Sequence, residues 1–123
     1  MGDWGARPWE TDEAADWFHV FWKKGIVFLI DEIQNFDEKT QYYERFRAAA
    51  YLLQAFGSPY IWPVEHSEQL KPLLIAAIST LEKMIDPPDS GWAFLDLWDN
   101  DPDVIENVRE QIAALKERLG QLA

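Results

Sequence analysis

Apolar residues recur at intervals of three and four positions through most of this chain, and no other feature of the sequence constrains the fold as strongly. This spacing gathers side chains on one face of an α-helix. Clear series run over residues 70–85 and 105–122. We therefore predict an all-α fold: a single-domain bundle of about five helices over residues 1–123, with residues 1–10 as an irregular N-terminal arm.

The first predicted helix follows this arm. Thr11 is a suitable N-cap, and the acidic residues behind it suit the positive end of the helix dipole. Lys23 and Lys24 are typical of a helix C-terminus, and Gly25 is the predicted stop. The inward-facing stripe of this helix is predicted to consist of Ala14, Trp17, Phe18, Phe21 and Trp22.

Residues 26–36 fit two kinds of structure. Their first five residues, IVFLI, resemble a short strand, but the apolar positions from Ile26 to Phe36 also have helical spacing. Helix is favoured because no second segment offers itself as a pairing strand. The strand remains the alternative.

Three long helices and one short helix are predicted after residue 37. The first ends at Phe56 and is closed by Gly57, after which residues 57–66 form a loop over the bundle. The second spans about residues 67–85, and Pro72 is expected to lie in its first turn or to mark its true start. After a short helix at residues 91–98, Asp101 caps the last helix and Pro102 occupies its first position. Its apolar series indicates a bundle seam, with a dimer zipper as the alternative.

The opening segment resembles a family of small, mostly bacterial proteins called domain of unknown function 4259. Residues that match the family's opening pattern are Gly2, Trp4, Gly5, Pro8, Asp12, Ala14, Asp16 and Trp17. The chain departs from the family at Arg7, Trp9 and Thr11, and also at Trp92 and Ala93, where the family usually has Ser-Glu. The resemblance implies a helical fold and no known activity, so it assigns no catalytic residue.

The N-terminal arm is predicted to be structural. Its glycines and its proline run directly into a capped helix, which favours a clasp over an exposed recognition element. We expect Trp4 and Trp9 to pack across the bundle together with Trp17, joining the N-terminus to later helices.

No catalytic or metal-binding constellation is recognisable in the sequence. The chain has no cysteine and no nucleophile elbow. Asp99, Asp101 and Asp103 imitate a calcium loop, but Val104 stands where that loop needs glycine. His19 lies one helical turn after Asp16 and is best explained as a surface histidine. We therefore expect no enzyme activity, no metal and no cofactor.

The net charge of −11 restricts the partners. Nucleic acid and anionic membranes are disfavoured because phosphate binding depends on clustered lysine and arginine. A basic protein is the expected partner. The acidic N-terminus excludes a signal peptide, and no apolar run approaches membrane-spanning length, so a cytoplasmic protein is expected, as a monomer or weak homodimer.

Acidic charge is concentrated in residues 86–110, which hold eight acidic side chains and one basic side chain. Aromatic and leucine residues are interleaved with them, as in surfaces that bind basic proteins. The alternative is a solvated rim of helix caps around core aromatics. The predicted partner-binding residues are Trp92, Phe94, Asp96, Asp99, Asp101, Asp103 and Glu106.

Three functions follow from these observations. The first is a non-enzymatic protein-binding module, such as an immunity or antitoxin-like inhibitor of a basic toxin or nuclease. The second is a structural or regulatory adaptor that self-associates through its last helix or its aromatic arm. The third and least favoured is an enzyme with a carboxylate or metal site.

Overall fold

The chain is all-α, as predicted. A computed structural model describes residues 11–122, apart from the side chains of Ala14, Ala15, Phe18 and Phe21. These residues form helices and turns and contain no β-strand. The helices are α1 (Asp12–Gln34), α2 (Tyr43–Phe56), α3 (Ser67–Ile85), α4 (Phe94–Leu97) and α5 (Pro102–Gly120), with single 3-10 turns at Glu38–Thr40 and Val64–His66.

Helix α1 does not stop at Gly25, so the predicted stop is wrong, whereas the helix favoured for the segment after it is confirmed. It runs unbroken for 23 residues, so most of the ambiguous segment 26–36 is helix. Trp22 and Ile26, on either side of Gly25, are buried in the same core. A glycine inside a helix costs about 1 kcal/mol relative to alanine, which the burial of such flanking side chains outweighs.

The inward stripe predicted for α1 is right at Trp22 and wrong at Trp17. Trp22 is buried and donates its indole N–H to the carbonyl of Ile61 at 2.9 Å. Trp17 is 62% exposed. The two are five residues apart, about 140° around a helix, so they cannot both face one core. Ala14, Phe18 and Phe21, the other members of the stripe, have side chains outside the description.

Helix α3 has the predicted bounds, but Pro72 does not lie in its first turn. The helix begins at Ser67, which places Pro72 in the second turn. Proline lacks the N–H that would bond the carbonyl of Glu68. Pro72 is exposed, so that carbonyl lies on the solvent side of the helix, where water can satisfy it.

Helix α5 packs as a seam inside the bundle, which confirms the seam prediction over the zipper. Val108, Ile112 and Leu115 are buried. Polar groups join α5 to α2 along the same contact. Arg47 donates to the Gln111 side-chain oxygen at 2.8 Å, and Gln111 donates back to the Arg47 carbonyl at 3.0 Å. The apolar stripe of α5 is buried against the other helices, and none of the large apolar side chains of α5 is exposed.

The loop between α2 and α3 lies over one end of the bundle. Trp62 is buried and donates its indole N–H to the carbonyl of His66 at 2.8 Å. Its ring packs 5.3 Å from that of Trp22. Gly57 ends α2 as predicted. Among the described helices, none combines the length and the apolar character needed to cross a bilayer.

Candidate functional site

The acidic segment, residues 86–110, is built around the short helix α4 and the start of α5. The predicted helix at residues 91–98 is shorter than expected, because only Phe94–Leu97 is helical. The chain then reverses through Asp99 and Asn100, which have positive φ angles of 50° and 55°. Aspartate and asparagine tolerate this left-handed conformation better than most residues. The Asn100 N–H bonds the Leu95 carbonyl at 2.8 Å and holds the turn.

Phe94 is not part of the surface, and its assignment as a partner-binding residue is wrong. Its side chain is 0% exposed. The ring stands edge-on to Tyr43 of α2 with the ring centroids 5.6 Å apart. A phenyl ring that contacts no solvent contributes no area to an interface, so Phe94 anchors the acidic segment from below.

Trp92 is half-buried and belongs mainly to an aromatic cluster. Its ring lies 5.9 Å from Phe36 and 6.3 Å from Tyr43. The Tyr43 hydroxyl accepts a hydrogen bond from the Ala93 N–H at 2.9 Å, which ties this part of the segment to α2. The Lys83 ammonium lies 6.0 Å from the Trp92 ring centroid. Only part of the Trp92 side chain therefore remains for a partner.

Asp101 is the N-cap of α5, as predicted. Its carboxylate accepts hydrogen bonds from the N–H groups of Asp103 at 2.8 Å and Val104 at 3.4 Å. Asp101 is therefore a structural residue with one carboxylate oxygen engaged by the helix. The described residues bring no three potential metal ligands together, and this includes the calcium-like triplet.

Four of the predicted acidic residues are solvent-exposed: Asp96, Asp99, Asp103 and Glu106. Glu106 lies 3.7 Å from Arg109, one turn along α5. Both of these side chains are mostly exposed, so this ion pair leaves the Glu106 carboxylate accessible to a competing cation.

The structure adds two apolar side chains to this acidic surface. Leu97 and Trp98 are exposed, although neither is among the predicted site residues. The Trp98 indole N–H donates to Glu44 of α2 at 2.9 Å, which fixes the ring and brings another carboxylate beside it. No local sequence pattern separates these two exposed residues from the buried Phe94 in the same one-turn helix.

His19 has a different carboxylate neighbour from the one that helical spacing predicts. Its ring nitrogen Nδ1 lies 3.4 Å from Glu65, in the 3-10 turn before α3. The His66 ring nitrogen Nδ1 lies within hydrogen-bond distance, 2.6 Å, of the side-chain amide oxygen of Gln69. The exposure of His19 agrees with its interpretation as a surface histidine.

An apolar groove of about 630 Å³ runs between α1 and α2. Gly25 and Phe28 line its α1 side, and Ala48 lines its α2 side. At one end Arg45 donates to Glu32 at 2.8 Å. This hydrogen bond holds the pKa of Arg45 above its ordinary value. The arginine therefore stays charged, and the ion pair links the two helices across the end of the groove.

The predicted clasp lies mostly outside the described residues. Trp4 and Trp9 belong to residues 1–10, so their packing across the bundle stays a prediction. Trp17 is described, and most of its surface is exposed on α1.

Comparison of the chain with protein-family models, with curated proteins and with solved structures finds no match. The resemblance to domain of unknown function 4259 stays a prediction.

Proposed function

We propose that this chain is a non-enzymatic protein-binding module that recognises a basic protein through its acidic segment. An immunity or antitoxin-like inhibitor of a basic toxin or nuclease is the kind of protein that this surface suits best. The proposal rests on one observation above others: the exposed Trp98 lies within the acidic segment and donates its indole N–H to a further carboxylate, Glu44. Tryptophan is among the residues that most often dominate binding energy.

The construction of the segment supports recognition without a large conformational change. Phe94 anchors it to the core, Asp101 caps α5, and backbone hydrogen bonds hold the turn at Asn100. A surface that is ordered before binding loses less conformational entropy on association. Its excess negative charge would also steer a basic partner and raise the association rate at low ionic strength.

The proposal is tested with a charge-reversal variant and a matched control. In the test variant, Asp96, Asp99 and Asp103 are all replaced by lysine. In the control, lysine replaces three exposed acids elsewhere on the molecule: Glu65, Glu68 and Glu117. Both variants have the same net charge, and each alters one first-turn acid of a long helix, Asp103 of α5 or Glu68 of α3. Lysine at Asp99 also meets a positive φ angle that disfavours it, so circular dichroism first verifies that the test variant is folded.

Binding is measured by calorimetric titration against the basic proteins encoded by adjacent genes. We expect the test variant to lose at least about a hundredfold in affinity, as when several interfacial charges are reversed, and the control to lose far less. Raising the salt concentration should slow association of the unaltered protein. Equal binding by the two variants would exclude the acidic segment as the interface.

A further inference from the structure

The outward face of α1 carries more apolar surface than an isolated helix needs. Val20, Val27 and Phe28 are all exposed, Val27 at 69% and Phe28 at 78%. The opposite face of the same helix already supplies Ile26, Leu29 and Ile33 to the core. A helix with apolar side chains on both faces is typical of one that is buried on both faces.

Charged side chains on this face are arranged symmetrically about its apolar centre. Val20, Lys24, Val27 and Asp31 follow each other at four-, three- and four-residue intervals, so they form one stripe along the helix. Lys24 lies three residues before Val27, and Asp31 lies three residues after Phe28. A two-fold axis between Val27 and Phe28 would therefore exchange the position of the lysine with that of the aspartate.

We propose that α1 pairs with α1 of a second copy of this chain in an antiparallel, two-fold symmetric dimer. In this arrangement Val27 and Phe28 meet their counterparts at the axis. Lys24 of each copy faces Asp31 of the other, which gives two ion pairs. A two-fold interface requires such a self-complementary surface, in which residue i contacts residue j and j contacts i.

The charge balance of the face favours this occupant over a basic protein. Near the axis, Lys24 is balanced by Asp31, so the stripe is locally neutral although the chain carries −11. The repulsion between two chains of that charge acts over long distances and is largely screened at physiological salt. The dimer surface is separate from the acidic segment, and the inference goes beyond the proposed function.

The groove between α1 and α2 adjoins this face. Phe28 lines the groove and lies on the groove side of the stripe, so Phe28 of the second copy comes to the groove mouth in the proposed dimer. Gly25 lies along the same wall, and among the described residues no atom outside the backbone of α1 lies within 4 Å of the position that a Cβ would take there. A large side chain from a second copy can therefore approach the α1 backbone closely.

Sedimentation equilibrium over a range of concentrations tests the dimer. The mass should rise from 14.4 kDa towards twice that value, with a dissociation constant on the order of 10–100 µM for an interface of this small size. Val27→Asp should weaken association at least about tenfold, because it places a charge at the axis. Val64→Asp is the control, since Val64 is 83% exposed in the 3-10 turn before α3.

Charge exchange between the two sides of the axis gives the sharpest test. Lys24→Glu and Asp31→Lys should each weaken the homodimer about three- to tenfold, because each places like charges opposite one another. The double variant should recover the original affinity. A mixture of the two single variants should form a heterodimer, since both of its pairs are then attractive.

Three results would overturn the proposal. The first is a mass of 14.4 kDa at every concentration, which would leave this face to another partner. The second is association that Val27→Asp and Val64→Asp affect equally. The third is failure of the double variant or of the mixture to restore association that the single variants have lost. All of these substitutions lie at exposed positions, and circular dichroism verifies that each variant is folded.

Discussion

Helices α1 and α5 use the same apolar spacing in opposite ways. Helix α5 has one apolar stripe, which packs against the rest of the bundle, and none of its large apolar side chains is exposed. Its outward face is charged. Helix α1 has an equally well-buried stripe but also exposes Val20, Val27 and Phe28. Burial in the core accounts for the large apolar side chains of α5 but for only some of those of α1.

This difference separates packing from function. Apolar residues that a core already accounts for give no information about partners, whereas exposed clusters mark candidate contact surfaces. The same reasoning applies inside the acidic segment, where Phe94 is core and Trp98 is surface although only three residues separate them. The predictions below test whether substitutions at buried sites change the free energy of unfolding much more than substitutions at exposed sites.

The largest effect is expected at Phe94. Phe94→Ala should lower the free energy of unfolding by about 3–5 kcal/mol, because it removes a fully buried ring and leaves a cavity beside Tyr43. Phe28→Ala makes the same chemical change on the outward face of α1. It should change stability by less than about 0.5 kcal/mol when measured on the monomer.

Urea denaturation of both variants at low protein concentration measures this contrast. If Phe28→Ala costs as much as Phe94→Ala, the outward face of α1 is not a free surface. The distinction between the two faces of α1 would then be wrong.

A second contrast concerns two glycines at α1 and α2. Gly57→Ala should destabilise the protein by about 1–3 kcal/mol, because the new Cβ would clash with the carbonyl oxygen of Leu53. That oxygen belongs to the backbone of α2, so it cannot move aside alone. Thermal unfolding followed by circular dichroism measures the loss. A melting temperature equal to that of the unaltered protein would show that the end of α2 relaxes freely.

Local signals in the sequence predicted part of the fold correctly. The bounds of α3 and the start of α5 were predictable because a cap, a proline or a long apolar series stands at each place. The continuity of α1 through Gly25 was not, since it depends on tertiary burial of residues on both sides. The burial of Phe94 was missed because a one-turn helix is too short to show the 3.6-residue repeat of apolar side chains that marks a buried face. Among so many acids, its ring resembled a surface residue.

The acidic segment could be located from composition, but composition does not distinguish its exposed, unengaged acids from those that hold the fold together. The prediction grouped Asp101 with Asp99 and Asp103 as partner-binding residues. The structure distinguishes them by hydrogen bonding: Asp101 accepts from the N–H groups that open α5. The hydrogen bond to Glu44 fixes the orientation of the Trp98 ring. Glu44 is distant in sequence, so no local sequence pattern predicts this contact.

The N-cap of α5 gives the third prediction. Asp101→Ala should destabilise the protein by about 0.5–2 kcal/mol, because it leaves two helix N–H groups without their acceptor. Asp101→Asn keeps a side-chain oxygen at the same place and should recover most of this loss. Chemical denaturation distinguishes the two variants. Equal losses would mean that the charge of Asp101, rather than its cap geometry, stabilises α5.

The smallest predicted effect has the opposite sign and bears directly on α1. Gly25→Ala should stabilise the monomer by about 0.5–1 kcal/mol, because alanine restricts the unfolded chain and no side chain of residues 11–122 that the structure describes lies within 4 Å of the new Cβ. The same substitution destabilises at Gly57, so the two glycines differ in sign as well as in size. A higher urea midpoint, with an unchanged slope of the unfolding free energy against urea concentration, would support the predicted stabilisation. If stability instead falls, the wall of the groove at Gly25 is occupied within the monomer. The space beside Phe28 would then not be open to a second chain.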